Sequence, residues 1–284
     1  IFAAPKVASY FNGCRVITLH KSGVMIALAP LDNSLTPRLA LTAGFENLEE
    51  AFILQEIKGG DWFIDAGGNI GLMTLLAARN MGPFGRAFYF EPNPASVECL
   101  QVSASINWMG DRILIHQCAL SDSDGLGLME GDAGRLGEYR LKQEREGEAF
   151  PVHSRNVESL EVSLRRLDDV IPFDVPIKLM KLDVEGHETQ VLRGARRLLE
   201  SHSIEALLLE YGTESHGPSF CKFADELRML QGLGYLPYRL VQGHDGKVLC
   251  VPWPSFLSEP PEMGHVPLVM RSGRFVELRG PRLT

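Results

Sequence analysis

The sequence predicts an α/β fold in which a mostly parallel sheet carries helices on both faces and has a reversed C-terminal strand. Between residues 61 and 210, short apolar runs that suit buried strands alternate with segments of helical apolar spacing. Repeated strand–helix units favour parallel strands. A hairpin signal, His244-Asp-Gly246, joins two later apolar runs and therefore turns one strand in the opposite direction.

The strand–turn–helix unit at residues 61–80 is the most informative stretch. The motif Asp65-Ala-Gly-Gly-Asn-Ile-Gly71 ends an apolar run, and residues 72–80 continue with helical spacing. Such a turn lets the polar groups of a ligand approach the backbone beside a helix N-terminus. Asn69 replaces the second glycine of a dinucleotide fingerprint, and the Asp65 carboxylate would repel a pyrophosphate but hydrogen-bond an ammonium.

The next strand adds a group that suits a ribose. Residues 85–91 end in Glu91, about 20 residues after the turn, where Rossmann-like folds hold a ribose diol. Pro92 and Asn93 follow it and open a helix. A ribose and an amino-acid head without a phosphate indicate S-adenosyl-L-methionine as the cofactor.

Four motifs resemble the successive signatures of FkbM-type methyltransferases. They are Asp65-Ala-Gly-Gly-Asn-Ile-Gly71, Phe90-Glu-Pro-Asn-Pro94, Ala119-Leu-Ser-Asp122 and Lys181-Leu-Asp-Val-Glu-Gly-His-Glu188, and they occur in the family's order. The resemblance implies a Rossmann-like methyltransferase sheet. It also implies O-methylation of a hydroxyl on a sugar, glycan or polyketide-type molecule, with S-adenosyl-L-homocysteine as the product.

The expected cofactor-binding residues follow from these motifs and from their places at strand ends, where open parallel sheets bind ligands. They are Asp65, Gly67, Asn69, Gly71, Glu91, Pro92, Asn93, Ala119, Leu120, Ser121 and Asp183.

The candidate catalytic groups lie after the fourth strand. Asp183, Glu185 and His187 bunch at the end of the apolar run 177–184, where charged side chains are unusual as core. Each is a candidate for the base that takes the acceptor's proton. Asp183 is also a candidate for orienting the acceptor. A metal-dependent variant, with Asp183 and Glu210 as oxygen ligands, is a minor alternative, and no metal is predicted.

Two regions flank or interrupt this domain, which is predicted to cover residues 46–284. Residues 1–45 form an N-terminal β-hairpin extension, and Asn47 with Glu50 suggests a capping box at the start of the next helix. Phe45 and Glu46 are candidate cofactor or substrate contacts. Residues 123–160 contain few large apolar side chains and predict a mobile excursion with little buried surface.

The C-terminal part predicts an amphipathic helix at 219–232, strands at 234–241 and 247–251, and edge strands at 266–270 and 275–278.

Composition excludes several classes of protein. The formal net charge of −8 and the lack of a long basic cluster argue against nucleic acid, and no apolar run is long enough for a membrane span. Five cysteines at irregular spacing suit reduced thiols in a cytoplasmic protein. The chain begins at Ile1 without Met, which is compatible with removal of a targeting segment. The expected partner is a hydroxyl-bearing small molecule or glycan, and a homo-oligomer stays open.

Two alternatives to methyl transfer remain at this point. A catalytically silent cofactor-binding or interaction module would keep Asp65, Gly67, Gly71 and Glu91. An NAD-dependent oxidoreductase is disfavoured by Asn69, by Asp65 and by the reversed strand.

Overall fold

The computed structural model describes residues 7–10, 14–29, 32–33, 35–42, 46–132, 134–142, 157–212, 220–258 and 266–275. Its strands are β1 (Val7–Tyr10), β2 (Cys14–Leu19), β3 (Met25–Leu28), β4 (Trp62–Ala66), β5 (Arg86–Phe90), β6 (Ile113–His116), β7 (Ala119–Ser121), β8 (Gly125–Asp132), β9 (Arg140–Leu141), β10 (Val157–Arg166), β11 (Leu179–Leu182), β12 (Ala206–Tyr211), β13 (Tyr235–Gln242), β14 (Val248–Pro252) and β15 (Val266–Ser272). Its α-helices are α1 (Leu35–Thr42), α2 (Asn47–Glu56), α3 (Leu72–Met81), α4 (Pro94–Ile106), α5 (Leu167–Val170), α6 (Glu188–Gly194), α7 (Arg196–Glu200) and α8 (Phe220–Gly232).

The main sheet confirms the predicted fold class. Its eight strands lie in the order β14-β13-β15-β12-β11-β4-β5-β6. The run from β12 to β6 is parallel throughout. The reversed strand β15 pairs antiparallel with both β12 and β13. The predicted edge position of residues 266–270 is therefore wrong. The reason is that Leu268, Val269 and Met270 are fully buried, so they occupy an interior strand.

The second predicted edge strand, 275–278, lies outside the described residues except for Phe275. The predicted C-terminal hairpin is present as the antiparallel pair β13 and β14.

Side-chain alternation along β4 explains why both faces of this sheet are covered. Phe63 packs in the core cluster that includes α2, α3 and α4, whereas Ile64 and Ala66 pack in the cluster that includes α6, α7 and α8. A strand buried on both faces has no room for a solvated side. Asp65 shares the face of Phe63 and is fully buried, so its charge must be compensated inside the protein.

The N-terminal strands β1, β2 and β3 form a separate antiparallel sheet, which includes the predicted hairpin. It is attached to α2 through Glu50, which contacts His20 Nε2 at 3.1 Å and Lys21 Nζ at 2.7 Å. The predicted capping box is therefore wrong, because the Glu50 side chain leaves the helix to bind the hairpin. The helix is capped at Glu46 without a side-chain hydrogen bond.

The expectation that residues 123–160 bury little surface is also wrong for the part that the structure describes. A sheet of order β7-β10-β8-β9 fills much of this segment, with β8 and β10 paired from Gly125 with Leu164 to Asp132 with Val157. The segment buries Met129, Leu136 and Tyr139. Residues 143–156 lie outside the described part of the chain.

No helix in the described part of the chain is both long and apolar enough to cross a membrane.

Candidate active site

The glycine turn after β4 is held against two neighbouring strand ends by main-chain hydrogen bonds. The N–H of Gly67 donates to the Phe90 carbonyl at 3.0 Å, and the N–H of Asp183 donates to the Ala66 carbonyl at 3.0 Å. Gly67 has φ +78°, and a Cβ atom there would lie 1.8 Å from the carbonyl oxygen of Asp183. Only glycine adopts this positive φ without strain and leaves room for the Asp183 carbonyl oxygen. The turn therefore requires glycine at position 67.

Glu91 connects the turn to the start of α4. Its two carboxylate oxygens accept hydrogen bonds from the N–H of Asn69 at 3.0 Å and from the N–H of Asn93 at 2.8 Å. Burial raises the pKa of Glu91 to about 7, although these two bonds act in the opposite direction. Asn69 adopts a left-handed conformation with φ +48°, and its carbonyl accepts the Tyr89 hydroxyl.

Asp65 presents one unpartnered oxygen inside the protein. Its Oδ2 accepts a hydrogen bond from Thr74 Oγ1 at 2.6 Å, whereas Oδ1 has no partner among the described residues. Burial raises the pKa of Asp65, and the nearby Lys181 ammonium opposes this effect. A buried acceptor without a donor is unfavourable, so Oδ1 suits a ligand that brings N–H groups.

Two acidic groups after β11 are each paired with a cation. Lys181 Nζ donates to Asp183 Oδ2 at 2.5 Å, and Arg140 Nη2 donates to Glu185 Oε2 at 3.1 Å. Burial and the Asp183 charge raise the pKa of Glu185 to about 8, although Arg140 lowers it. Glu185 has φ +55°. Glu188 stabilises this loop, because its Oε1 accepts hydrogen bonds from the N–H groups of Val184 and Gly186.

His187 lies at the N-terminus of α6 and is buried. Its Nε2 lies 3.0 Å from Ser121 Oγ, and its Nδ1 has no hydrogen-bond partner within the described part of the chain. Burial lowers the pKa of His187, which favours the neutral imidazole at pH 7. A neutral imidazole with an available ring nitrogen can accept a proton.

These groups surround one cavity of about 690 Å³. It opens at the carboxyl ends of the parallel strands, where doubly wound sheets bind ligands. Ten of the predicted site residues line it: Asp65, Gly67, Asn69, Glu91, Pro92, Ala119, Leu120, Asp183, Glu185 and His187.

Three predicted residues support the cavity without lining it. Gly71 has φ +85° and donates its N–H to the Gly68 carbonyl. Asn93 caps α4 by accepting the N–H of Ala95, and Ser121 contacts His187. The functional roles assigned to all thirteen positions stay predictions.

Further lining residues were mostly missed by the sequence reasoning. They are Leu35 and Arg38 of α1, Leu48 of α2, and Leu136, Gly137, Glu138, Tyr139 and Leu141. Glu46 was predicted and lines the cavity, whereas Phe45 lies outside the described residues. Burial raises the pKa of Glu46 to about 8, against the effect of Lys181.

Lys181 was also missed as a site residue, although a signal for it existed. It stands two positions before Asp183 in an apolar strand, so both residues point to the same face. No comparable pattern marks Arg140. No group of three or more His, Cys, Asp or Glu side chains in the described ranges is arranged to hold a metal ion.

A mostly parallel sheet with a reversed strand inserted beside β12, together with acid-tipped strands around a glycine turn, defines a Rossmann-like methyltransferase domain. The chain belongs to the FkbM methyltransferase family, because the family model described as "Methyltransferase FkbM domain" matches residues 65–237. This match confirms the resemblance found in the four motifs.

The sequence identity to individual proteins is low. Methyltransferase 1 of Beauveria bassiana (strain ARSEF 2860) is 29% identical over 160 residues, which cover 52% of this chain and 63% of that protein. The chain thus spans less than two thirds of that relative's length. The 31-O-demethyl-FK506 methyltransferase FkbM of Streptomyces tacrolimicus is 27% identical over 208 residues, covering 62% of this chain and 79% of that protein. A SAM-dependent O-methyltransferase structure from Thermotoga maritima superimposes loosely, with TM-score 0.42, 12% identity, and coverage of 95% of this chain and 86% of that chain.

S-adenosyl-L-methionine is the cofactor of this family, and the cavity fits it. The unpartnered Asp65 Oδ1 matches an ammonium donor, and Glu91 stands at the strand end where a ribose diol binds. The cavity is lined by more acidic than basic side chains, and this excess suits a ligand that carries a sulfonium.

Gly67→Ala tests the geometry of the turn. We expect the free energy of unfolding to fall by about 2 kcal/mol or more, because the new Cβ meets the Asp183 carbonyl and the left-handed backbone is strained. Urea denaturation measures this change. The matched control is Gly59→Ala, where no atom lies within 4 Å of the new Cβ. Equal midpoints for the two variants would show that the close approach is not required.

Proposed function

We propose that this chain transfers the methyl group of S-adenosyl-L-methionine to a hydroxyl of a sugar, glycan or polyketide-type small molecule. The observation that carries the proposal is a single cavity that combines the cofactor motifs with further apolar side chains. The motifs at the ends of β4 and β5 line it, and so do Leu35, Leu48, Leu136, Tyr139 and Leu141. Residues of β7 and residues that follow β11 also line it.

The residues support transfer mainly by positioning the reactants. The bound sulfonium supplies a methyl group that is already activated, so the main task of the protein is to align the acceptor with the carbon–sulfur bond. Alignment of this kind contributes up to about 7–11 kcal/mol. Asp65 and Glu91 hold the ammonium and the ribose of the cofactor, and the apolar side chains of Leu48, Leu136 and Tyr139 exclude water around the acceptor.

We assign His187 as the proton acceptor and Asp183 as the group that orients the acceptor hydroxyl. The imidazole of His187 lines the cavity, and its Nδ1 has no partner among the described residues. Lys181 engages Oδ2 of Asp183, so Oδ1 is assigned to the acceptor hydroxyl. Glu185 is bound to Arg140, which makes it the third choice for the base.

The comparison with known proteins supports an oxygen acceptor. The relative from Streptomyces tacrolimicus is named for a 31-O-demethyl compound, and the proposal carries the same bond type to this chain. The free thiols of Cys99, Cys118, Cys221 and Cys250 favour a reducing compartment such as the cytoplasm.

Calorimetric titration with S-adenosyl-L-homocysteine, and separately with NAD, tests the cofactor. We expect micromolar binding of the homocysteine ligand, weakened about tenfold or more by Asp65→Ala or Glu91→Ala because each removes a buried hydrogen-bond acceptor. Glu98→Ala removes an exposed carboxylate from α4 and is the matched control with unchanged affinity. Binding of NAD alone would overturn the methyltransferase assignment, and binding of neither would favour a silent interaction module.

Transfer of labelled methyl groups tests the acceptor chemistry. We expect label to enter monosaccharides, glycosides or macrolides as ethers that survive alkali, whereas methyl esters do not. His187→Gln should lower kcat by about 10²–10⁴-fold, as loss of a general base does, and leave the Kd of S-adenosyl-L-homocysteine unchanged. His244→Gln, at an exposed histidine of the β13–β14 turn, is the control. A chain that binds cofactor but labels no hydroxyl would contradict O-methylation.

A further inference from the structure

Lys181 is a buried cation that the proposed reaction uses only to hold Asp183. It lies in the middle of β11, directly beside Asp65 of β4 in the register of the two parallel strands. Its side chain is 9% exposed, and it lines the main cavity. A buried lysine in a central strand is unfavourable unless its charge is paired and hydrogen-bonded.

The Lys181 ammonium has more N–H donors than acceptors among the described residues. An ammonium carries three N–H donors. Asp183 Oδ2 takes one at 2.5 Å, and Glu46 Oε2 lies 3.9 Å away, beyond hydrogen-bond distance. Within the part of the chain that the structure describes, Asp183 is the one side chain that accepts a hydrogen bond from Lys181.

Five acidic groups lie near Lys181, on β4, on β12, after β11 and at the start of α2. They are Asp65 on β4, Asp183 after β11, Glu46 and Glu49 at the start of α2, and Glu210 on β12. Burial alone would lower the pKa of Lys181, but the charges of Asp183, Glu46 and Asp65 outweigh it and hold that pKa well above its usual value. The side chain is therefore a permanent cation within an acidic site, and this end of the cavity would repel a ligand carboxylate without it.

We propose that Lys181 binds the α-carboxylate of the cofactor's methionine portion, while Oδ1 of Asp65 accepts its ammonium. The two residues are paired in register on neighbouring strands, whose backbones lie about 4.8 Å apart, and both line the cavity, so one amino-acid head can reach both side chains. Lys181 keeps its bond to Asp183 and uses its remaining donors for the ligand. This assignment rests on the proposed function, because it requires S-adenosyl-L-methionine as the cofactor.

Three ligands separate this role from a structural one. S-adenosyl-L-homocysteine carries both charged groups, S-adenosyl-3-thiopropylamine is the same molecule without its carboxylate, and 5′-methylthioadenosine lacks the whole amino acid. In the wild-type chain we expect calorimetry to give about 10- to 100-fold weaker binding of the propylamine than of the homocysteine ligand. Without the Lys181 contact the acidic site would favour the more cationic propylamine. Equal or tighter binding of the propylamine would therefore overturn the proposal.

Lys181→Met should erase that preference. We expect it to weaken S-adenosyl-L-homocysteine by about 10- to 100-fold, to leave 5′-methylthioadenosine unchanged, and to leave the propylamine unchanged or tighter. Lys181→Arg should restore most of the affinity, Asp65→Asn should weaken both ammonium ligands, and Lys247→Met, at an exposed lysine, should change nothing.

The outcomes distinguish the two proposals. Equal weakening of all three ligands by Lys181→Met would assign Lys181 a structural role and overturn the inference. If Lys181→Met does not fold, the wild-type comparison of the three ligands decides the matter alone. Failure of the wild-type chain to bind S-adenosyl-L-homocysteine would instead overturn the proposed function.

Discussion

The close main-chain contact between Gly67 and Asp183 is the constraint on which the site depends. Because no Cβ separates them, the turn after β4 lies against the end of β11 while bonding to the Phe90 carbonyl of β5. Three strand ends are thereby brought together, and each carries an acid: Asp65, Glu91 or Asp183. The helix that follows the turn and the cavity beside it take their positions from this contact.

The electrostatics of the cavity follow from burying these acids. Burial raises the pKa of Asp65, Glu91, Glu46 and Glu185, so each is stabilised by a cation or by a hydrogen-bond donor. Glu91 uses backbone N–H groups and Glu185 uses Arg140. Asp65 retains an oxygen that has no partner in the described part of the chain. The ammonium and the sulfonium of the cofactor compensate the negative charge of the remaining acidic side chains. Lys181 binds the carboxylate of the same ligand.

Local sequence signals predicted the parts of the structure that depend on local chemistry. The strand ends and the glycine turn were visible because an acid or a glycine interrupts an apolar run. The interior position of β15 was not, because three apolar residues look alike at an edge and in the middle of a sheet. The sheet around β8 was hidden by its glycines, one of which, Gly131, makes room for the Tyr139 ring. Arg140 meets Glu185 only through that sheet, and such long-range pairings leave no local pattern.

The most direct test of the central claim is a crystal structure of the chain with S-adenosyl-L-homocysteine. We expect the ribose to hydrogen-bond Glu91, the adenine to contact Ala119 and Leu120, and the sulfur to face Asp183 and His187 across the cavity. A ligand bound away from the glycine turn, or with its ribose remote from Glu91, would contradict the assignment of this cavity as the site of methyl transfer.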